Sequence, residues 1–311
     1  MMIATREAFS QAIVELGRKN EKIVVFNADL AHATKTYEFQ KNFPDRHFNV
    51  GIAEMNMTGM AAGMAACGYI PFVSTFAAFG TGRNYDMIRN AVCYPNLNVK
   101  FALTHAGLTV GEDGATHQML EDIALMNALP NMKIIAPADA VEAKQAIYAA
   151  AEINSPVYIR LGRAKTPVIY NDSYEFKFGK ADVLVDGEDV TLAACGIMVA
   201  KALQAREVLK EKGINAAVLN FSTIKPIDKK AVLDFAKKTQ AFVTIEEHSL
   251  KGGLGSIIAS VTAENYPCAV KMVGASDTFG ESGKPEELLE KYGLGINDIV
   301  SKALEAVNMK K

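Results

Sequence analysis

The sequence predicts an α/β protein built from two doubly wound domains with mostly parallel sheets. Short runs rich in Val and Ile alternate with longer helical patterns along the chain. The runs are apolar almost throughout, which is typical of parallel strands that helices cover on both faces. The alternation pauses over residues 162–179 and then resumes. Because 311 residues are enough for about two domains, we expect a first domain at residues 1–170 and a second at residues 180–311.

The first half of the chain contains a series of candidate strands separated by helical stretches. The candidate strands are residues 22–27, 47–50, 70–75, 98–104, 132–137 and 156–161. Residues 140–153 have the pattern of a helix between the last two of them. Residues 162–179 then carry Pro, Asn, Asp, Ser and Gly without clear periodicity, so we interpret them as a linker.

The second half repeats the same alternation. Candidate strands are residues 190–196, 214–221, 240–248 and 268–274, and candidate helices are residues 198–213, 229–239, 252–264 and 294–307. Gly213 is placed to end the first of these helices, because glycine readily adopts the left-handed conformation found there. No internal sequence repeat and no low-complexity segment interrupts the pattern.

Composition and charge exclude several classes of protein. The net charge of −2 gives no electrostatic reason to expect binding to nucleic acid or to an anionic membrane. No run of about 18 apolar residues predicts a membrane-spanning helix. The amino-terminal helical pattern lacks the features of a signal peptide, so we expect a cytoplasmic protein. The four cysteines are far apart and form no CxxC pair, so they are expected to be reduced thiols.

The segment FNVGIAE at residues 48–54 is the most informative stretch of the chain. Phe48–Val50 looks like a strand end, Gly51 supplies a sharp turn, and Glu54 then falls in the first turn of a helix rich in Gly, Ala and Met. A carboxylate is favoured there by the helix dipole. Taken alone, Glu54 is most simply an acidic residue at a helix start.

A loop with two histidines follows the strand predicted at residues 98–104. The loop reads THAGLTVGEDGATHQ and places His105 and His117 after the carboxyl end of a strand, where open parallel sheets bind their ligands. The alternative is a polar surface loop, with a turn at Asp113-Gly114 and Thr116 as the cap of the next helix. No third ligand is evident beside the two histidines, so the sequence predicts no metal site.

Two arginines and two phenylalanines are the remaining candidates. The planar fork of Arg6 or Arg163 suits a phosphate better than a lysine does, although an isolated Arg more often makes a surface ion pair. Phe76 and Phe79 follow a strand within STFAAFGTG and fit either the core or a cleft for a flat ring. The strings GEDG and GGLG match neither GxGxxG nor GxxxxGK[ST], so neither predicts a phosphate cradle.

Together, these segments resemble transketolases over nearly the whole chain. The matching motifs occur in family order: ATR (4–6), AD (28–29), FNVGIAE (48–54), STFAAF (74–79), TH (104–105), GEDGATHQ (111–118), PADAVEA (137–143), IKPID (224–228), EEHSLKGGLG (246–255) and SDTFGESGKPEEL (276–288). The resemblance implies the thiamine diphosphate-binding fold, with a pyrimidine-binding domain followed by a transketolase C-terminal domain.

The resemblance also implies how the chain binds its cofactor, thiamine diphosphate. Glu54 would bond N1′ of the aminopyrimidine and start the chemistry, with Ile52 beside it. Phe76 and Phe79 would form the aromatic wall of the pyrimidine pocket. Asp29 would lie near the thiazolium ring.

The same resemblance assigns the sugar-binding residues. His105 and His117 would face the reacting carbons, and Asp113 would bond a substrate hydroxyl. Arg6 and Arg163, together with His105, would hold the phosphate of a sugar phosphate. The implied reaction transfers a two-carbon ketol unit between phosphorylated sugars.

Three departures from the family pattern affect what is expected. Where many relatives place a phosphate-binding Ser, this chain has Ala33 or Thr34, and where some carry a third pocket aromatic it has Gly80–Gly82. The diphosphate and Mg²⁺ domain with its GDG…N motif is absent from the sequence. We therefore expect a split enzyme whose N-terminal partner subunit supplies the Mg²⁺ ligands, most simply as a heterotetramer of two copies of each chain.

Three alternatives stay open. The β-type subunit of a 2-oxoacid dehydrogenase has the same layout, but GEDGATHQ and SDTFGESG favour transketolase. A 1-deoxyxylulose-5-phosphate synthase-like enzyme has related motifs, but the two histidines and Asp113 count against it. A non-catalytic regulatory or binding subunit would share the fold, but the candidate site residues are intact.

Overall fold

The computed structural model describes residues 1–310 as an α/β structure with two mostly parallel sheets. The first part of the chain forms strands β1 (Met2–Ala4), β2 (Ile23–Asn27), β3 (His47–Asn49), β4 (Ile70–Ser74), β5 (Lys100–Leu103), β6 (Lys133–Ile135), β7 (Val157–Arg160) and β8 (Lys165–Pro167). Its helices are α1 (Thr5–Lys19), α2 (Ala31–Thr34), α3 (Tyr37–Asn42), α4 (Glu54–Ala66), α5 (Tyr85–Met87), α6 (Asp122–Asn127) and α7 (Ala140–Glu152). Tighter or wider single turns occur at Pro44–Arg46, Ala78–Arg83, Ile88–Cys93 and Leu108–Asp113.

The second part of the chain adds six strands and five helices. The strands are β9 (Asp182–Val185), β10 (Val190–Ala194), β11 (Ala216–Asn220), β12 (Thr223–Lys225), β13 (Ala241–Ser249) and β14 (Ala269–Ala275). The helices are α8 (Met198–Glu211), α9 (Lys229–Thr239), α10 (Leu254–Asn265), α11 (Pro285–Lys291) and α12 (Ile296–Asn308). Gly213 follows α8 with a φ of +77°, as expected for a helix end.

The larger sheet has the strand order β12-β6-β7-β5-β4-β2-β3. All of its pairings are parallel except the one between β12 and β6. One face packs on Phe9 and Ile13 of α1 and Ile147 of α7, and the other buries Phe101 against Met57 of α4. The predicted parallel sheet with covered faces is therefore confirmed. The carboxyl ends of β2, β4 and β5 all point to one edge, where a ligand site is expected.

The smaller sheet has the order β14-β13-β10-β11-β9. Its inner strands pair in parallel, with Leu192 opposite Val243, while β9 runs antiparallel at the edge. Strand β12 leaves this part of the chain and pairs with β6 of the larger sheet, where Thr223 lies opposite Ile135. The second half of the sequence thus completes the sheet of the first half.

The predicted linker is not a structureless connection. Residues 165–167 form β8, which pairs antiparallel with β1 so that Ile3 lies opposite Thr166. Strands β1, β8, β9 and β12 and helix α11 were not predicted, because segments this short show too few repeats of the apolar pattern. The division into domains at residues 1–170 and 180–311 stays a prediction.

None of the helices in residues 1–310 is long and apolar enough to cross a lipid bilayer. All four cysteines are free thiols, as expected. Cys93 and Cys195 are buried, Cys268 is half-buried, and Cys67 is exposed.

Asp139 fixes the start of α7 and the path of the segment that follows β8. Its Oδ1 accepts a hydrogen bond from Glu142 N at 2.9 Å, which caps the helix. Its Oδ2 accepts two more, from Ile169 N at 2.7 Å and Tyr170 N at 2.9 Å. The side chain is fully buried, so no water replaces these bonds if one is lost.

We predict that Asp139→Asn destabilises the protein by about 2–4 kcal/mol. The amide oxygen can keep the helix cap, but the amide nitrogen then faces two backbone N–H groups that have lost their acceptor. Urea unfolding followed by circular dichroism measures the change. The matched control is Asp228→Asn at the start of α9, where Oδ1 accepts from Ala231 N and Oδ2 accepts only one 3.3 Å bond, from Ala181 N. Equal losses in the two variants would contradict the assignment.

Candidate active site

Glu54 is a buried carboxylate at the first residue of α4, only 2% exposed. Strand β3 ends at Asn49, and Gly51 makes the predicted turn with a φ of +74°. Glu54 Oε2 lies 3.1 Å from Nη1 of Arg83, whose side chain is 53% exposed. The carboxylate therefore lies at the amino-terminal end of α4, and the partly exposed Arg83 binds it from the solvent side.

Arg83 is a site residue that the sequence analysis missed. Its guanidinium carbon Cζ lies 4.8 Å from the centre of the Phe79 ring, so the planar cation bridges Glu54 and an aromatic face. Arg83 ends the wide helical turn Ala78–Arg83, which begins within STFAAF. The sequence shows an Arg within GTGRN, but only the fold places it next to Glu54, which lies 29 residues earlier.

Four rings form an aromatic cluster at the carboxyl edge of the larger sheet. Phe76 follows β4 and is bridged to Thr104, which follows β5. The Phe76 ring stacks on His105 at 3.7 Å and on Phe79 at 5.8 Å between ring centres. His117 meets Phe76 and Phe79 edge-on at 6.1 and 5.3 Å. The fold thus brings together four residues that the sequence analysis proposed from two separate motifs.

His105 is buried, with a left-handed φ of +59° that turns its ring back toward the sheet edge. Its Nδ1 lies 2.8 Å from Thr104 Oγ1, and its Nε2 lies 3.3 Å from Arg6 Nη1. Burial, with smaller contributions from Arg6, Arg163 and His117, lowers the pKa of His105 from 6.5 to about 3. The ring is therefore neutral, so Nε2 can accept a hydrogen bond from Arg6.

The loop between β5 and α6 carries Asp113 and His117. Its residues Leu108–Asp113 form a tight turn that ends with Asp113 exposed. His117 is half-buried, and its Nδ1 lies 2.9 Å from Thr116 Oγ1. The alternative in which Thr116 caps the next helix is wrong, because α6 begins only at Asp122.

Arg6 follows β1 and Arg163 precedes β8, so both lie at the same end of this antiparallel strand pair, where Ala4 is opposite Lys165. Arg6 Nη1 donates to Ala33 O at 2.9 Å, while its Nε is buried without a partner. Arg163 Nη1 donates to Val110 O at 2.5 Å and to Glu112 Oε2 at 2.7 Å. Arg6 Nη1 lies 3.3 Å from Nε2 of the neutral His105 ring, and Arg163 is close enough to lower the pKa of His105, so the two cations form one positively charged corner beside that ring.

The remaining predicted residues lie around this edge. Asp29 has a φ of +60° and is paired with Asn49, which accepts from Asp29 N at 3.0 Å and donates to Oδ1 at 3.2 Å. Ile52 is 78% exposed. Thr34 is fully buried, and its hydroxyl donates to Leu30 O and accepts from Asn27. That hydroxyl is committed within the protein, so Thr34 does not offer a phosphate ligand.

The backbone N–H groups of the GGLG segment already bind a carboxylate of the protein itself. Backbone N–H groups of Leu254 and Gly255 donate to Glu246 at 2.8 Å each, and a Cβ on Gly253 would overlap that carboxylate. The glycines of this segment therefore allow the backbone to pack closely against Glu246 at the start of α10. Among residues 1–310, no three His, Cys, Asp or Glu side chains are grouped closely enough to hold a metal ion.

We predict that His105 makes the stability of the protein fall as pH is lowered below 6.5. The folded state favours the neutral ring, so this contribution is complete above the unfolded-state pKa and is lost as pH falls toward 3. Between pH 7.5 and pH 5, wild type should lose about 2 kcal/mol more unfolding free energy than His105→Asn. Urea unfolding at the two pH values measures this difference, and parallel losses would refute the buried neutral histidine.

Comparison with known families covers both parts of the chain. Residues 1–168 match the transketolase pyrimidine-binding domain and residues 179–299 the transketolase C-terminal domain. A transketolase C-terminal section of Methanocaldococcus jannaschii is 49% identical over 98% of this chain and 96% of its own length. A 6-deoxy-6-sulfo-D-fructose transketolase subunit, SqwH, of a Clostridium species is 42% identical over 98% of this chain and 95% of its own.

A solved structure described as an inactive β4 tetramer of a split-gene transketolase superimposes with a TM-score of 0.92. Its sequence is 50% identical, and the match covers 99% of both chains. A 1-deoxy-D-xylulose-5-phosphate synthase of Pelotomaculum thermopropionicum is 39% identical over 96% of this chain but only 47% of its own length. The chain belongs to the transketolase family and has the pyrimidine-binding and C-terminal parts of the split form.

Proposed function

We propose that this chain is the C-terminal subunit of a thiamine diphosphate-dependent transketolase that transfers a two-carbon ketol unit between phosphorylated sugars. The observation that carries the proposal is that one planar cation, Arg83, contacts both the buried Glu54 carboxylate and the aromatic ring of Phe79. A carboxylate at one side and a stacking surface at the other suit a flat heterocycle with a polar ring nitrogen.

Arg83 supports the fit of this site to an aminopyrimidine. The guanidinium is planar, donates to the Glu54 carboxylate, and lies over the Phe79 ring. It stands in for a planar nitrogen ring, which makes the same kinds of contact. Cofactor binding at this position requires Arg83 to move toward solvent, and its 53% exposure leaves it free to do so.

Each candidate residue then has a defined task. The bound cofactor supplies the carbanion chemistry by which a ketol unit is cleaved and passed on. Glu54 exchanges a proton with N1′ of the pyrimidine ring, and Phe76 and Phe79 hold that ring by stacking. Neutral His105 and half-buried His117 hydrogen-bond the hydroxyl and carbonyl groups of the sugar near the reacting carbons.

The charged corner supports a sugar phosphate as the substrate. Arg6 has a buried Nε without a partner, and an oxygen of a phosphate provides the missing acceptor. Arg163 is paired with Glu112, whose side chain is 62% exposed and can give way to a more highly charged anion. A sugar sulfonate offers similar oxygens, so the test below includes both anions.

A partner subunit completes the proposed enzyme. We infer that the partner carries the diphosphate and Mg²⁺ site with its GDG…N motif, and that two copies of each chain form the active assembly. Ile52, Met55 and Met60 are 78%, 47% and 42% exposed beside Glu54, and an apolar surface of this kind suits a subunit contact. The proposed location is the cytoplasm.

We predict that the purified chain alone has no measurable ketol-transfer activity. Mixing it with the N-terminal subunit, thiamine diphosphate and Mg²⁺ should restore activity, because the diphosphate needs oxygen-rich Mg²⁺ coordination. A coupled assay of aldose release measures transfer, and light scattering with and without cofactor measures assembly. The matched control is Glu54→Gln, which should assemble normally but turn over about 10²–10⁴-fold more slowly. Full activity of the chain without its partner would refute the split-enzyme proposal.

We predict that Arg6→Ala and Arg163→Ala weaken anionic substrates selectively. Each loses charge-assisted hydrogen bonds worth about 1.5–3 kcal/mol, which lowers kcat/KM for sugar phosphates by about 10- to 100-fold. The measured quantity is the ratio of kcat/KM for a phosphorylated sugar, its sulfonate analogue and the unmodified sugar. Arg18→Ala, an exposed arginine on the same helix as Arg6, is the control. Equal losses for charged and uncharged sugars would assign these arginines a structural role.

A further inference from the structure

The loop that carries Asp113 and His117 is held by the second half of the chain. We call residues 107–118 the sugar loop. Two parts of the second half contact it: Glu247 on β13, and the segment 280–285 that leads into α11. Neither part has a task in the proposed chemistry.

Glu247 anchors the start of the sugar loop. It is 3% exposed, and its Oε1 accepts a hydrogen bond from Thr109 N at 2.6 Å. Gly107 lies directly against the carboxylate, and a Cβ there would overlap it. Because Gly107 has a φ of +84°, only a glycine suits this turn without strain. The loop therefore leaves the sheet in a direction that Glu247 determines.

Arg160 fixes Glu247 in turn. Its Nε donates to Asp122 Oδ2 at 2.7 Å, and its Nη2 donates to the backbone oxygen of Glu247 at 2.8 Å. Its Nη1 lies 4.0 Å from Glu247 Oε2. The cation on β7 thus compensates buried carboxylates from both halves of the chain, which keeps the Glu247 side chain in one orientation.

Gln118 anchors the other end of the sugar loop. Its side chain is 6% exposed, and Nε2 lies 3.1 Å from Leu108 O, 3.3 Å from Gly111 O and 2.9 Å from Glu281 O. Two of these acceptors belong to the loop and one to the segment 280–285. A single amide group therefore sets the curvature of the loop and its attachment to the second half.

Two glycines of the loop make close backbone contact with the same segment. A Cβ on Gly111 would lie 3.4 Å from Gly283 O, and one on Gly114 would be forced against Ser282 Oγ. Asp113 lies between them, and His117 follows three residues after Gly114. The exposed Asp113 side chain thus projects from backbone that is packed on its other side.

We propose that Glu247 and Gln118 are positioning residues for sugar binding: they hold the sugar loop against the second half of the chain so that Asp113 and His117 face the substrate. This inference rests on the proposed function. The C-terminal half then takes a direct part in sugar binding. The effect on rate can be large, because misplacing a substrate-contacting group by about 1 Å can cost about 100-fold.

The test compares Glu247→Ala with Glu246→Ala in the complex with the N-terminal subunit. Glu246 is the matched control: it is the next residue on β13, equally buried, but its hydrogen bonds go to Leu254 N and Gly255 N, away from the sugar loop. Gln118→Met is a milder second variant that keeps the volume and removes the bonds to the three carbonyls. Each variant is measured for KM and kcat with the donor sugar and with the acceptor sugar. Half-saturation by thiamine diphosphate and hydrogen exchange of residues 107–118, followed by mass spectrometry, are measured as well.

We expect Glu247→Ala and Gln118→Met to raise the KM for sugars or lower kcat, with a total loss in kcat/KM of about 10- to 100-fold. Half-saturation by the cofactor should change less than the sugar kinetics, since Glu54 and Phe79 lie outside the loop and meet it only at His117. Hydrogen exchange should rise across residues 107–118. Glu246→Ala should lower thermal stability and leave the sugar KM and the exchange of the loop unchanged.

Two results would overturn the proposal. One is unchanged exchange of residues 107–118 in both Glu247→Ala and Gln118→Met. The other is faster exchange of the loop with sugar kinetics equal to those of Glu246→Ala. If the wild-type complex transfers no ketol unit, the proposed function fails, and the exchange data still decide whether the second half holds the loop.

Discussion

Arg160, whose side chain is only 9% exposed, carries the charge on which the arrangement of the two halves depends. It is the last residue of β7 and lies between Asp122 of the first half and Glu247 of the second. A buried cation is tolerated only when its charge and its N–H groups are satisfied, so the strand carrying Glu247 has to approach this end of the sheet closely. The sugar loop runs over the same place, and the geometry of the site follows from that meeting of strand ends.

The long elements were predictable, and the short ones were not. The Val and Ile of β2, the run of small and apolar residues in β10 and the apolar pattern of α7 are properties of neighbouring residues, so the sequence displays them directly. Strand β12 has only three residues and is defined by its pairing with β6, about 90 residues away in the chain, which no local pattern encodes. For the same reason the segment around Thr166 was interpreted as linker, although it pairs with β1.

The candidate site shows the same division. Glu54, Phe76 and His105 could be proposed because each lies at a strand end or helix start within a recognisable motif. Arg83 and Glu247 could not, because their partners are distant in sequence and neither residue type is unusual in its local context. Pairs of this kind are recognised only from distances, such as the 3.1 Å between Arg83 Nη1 and Glu54 Oε2. Prediction from sequence therefore found the residues at the strand ends and missed those that hold them in place.

The position of β12 has a consequence for how the chain folds during synthesis. Until residue 225 has left the ribosome, β6 is an open edge whose backbone N–H and C=O groups lack partners. An unpaired edge can recruit a strand from another chain, so the nascent first half is exposed to aggregation until β12 is made. Some 60 further residues separate β7 from the end of β12. Their synthesis takes several seconds at typical rates of about 5–20 residues per second. The sheet of the first half is therefore complete only after β12 has been synthesised, and a chaperone that shields strand edges would act during that interval.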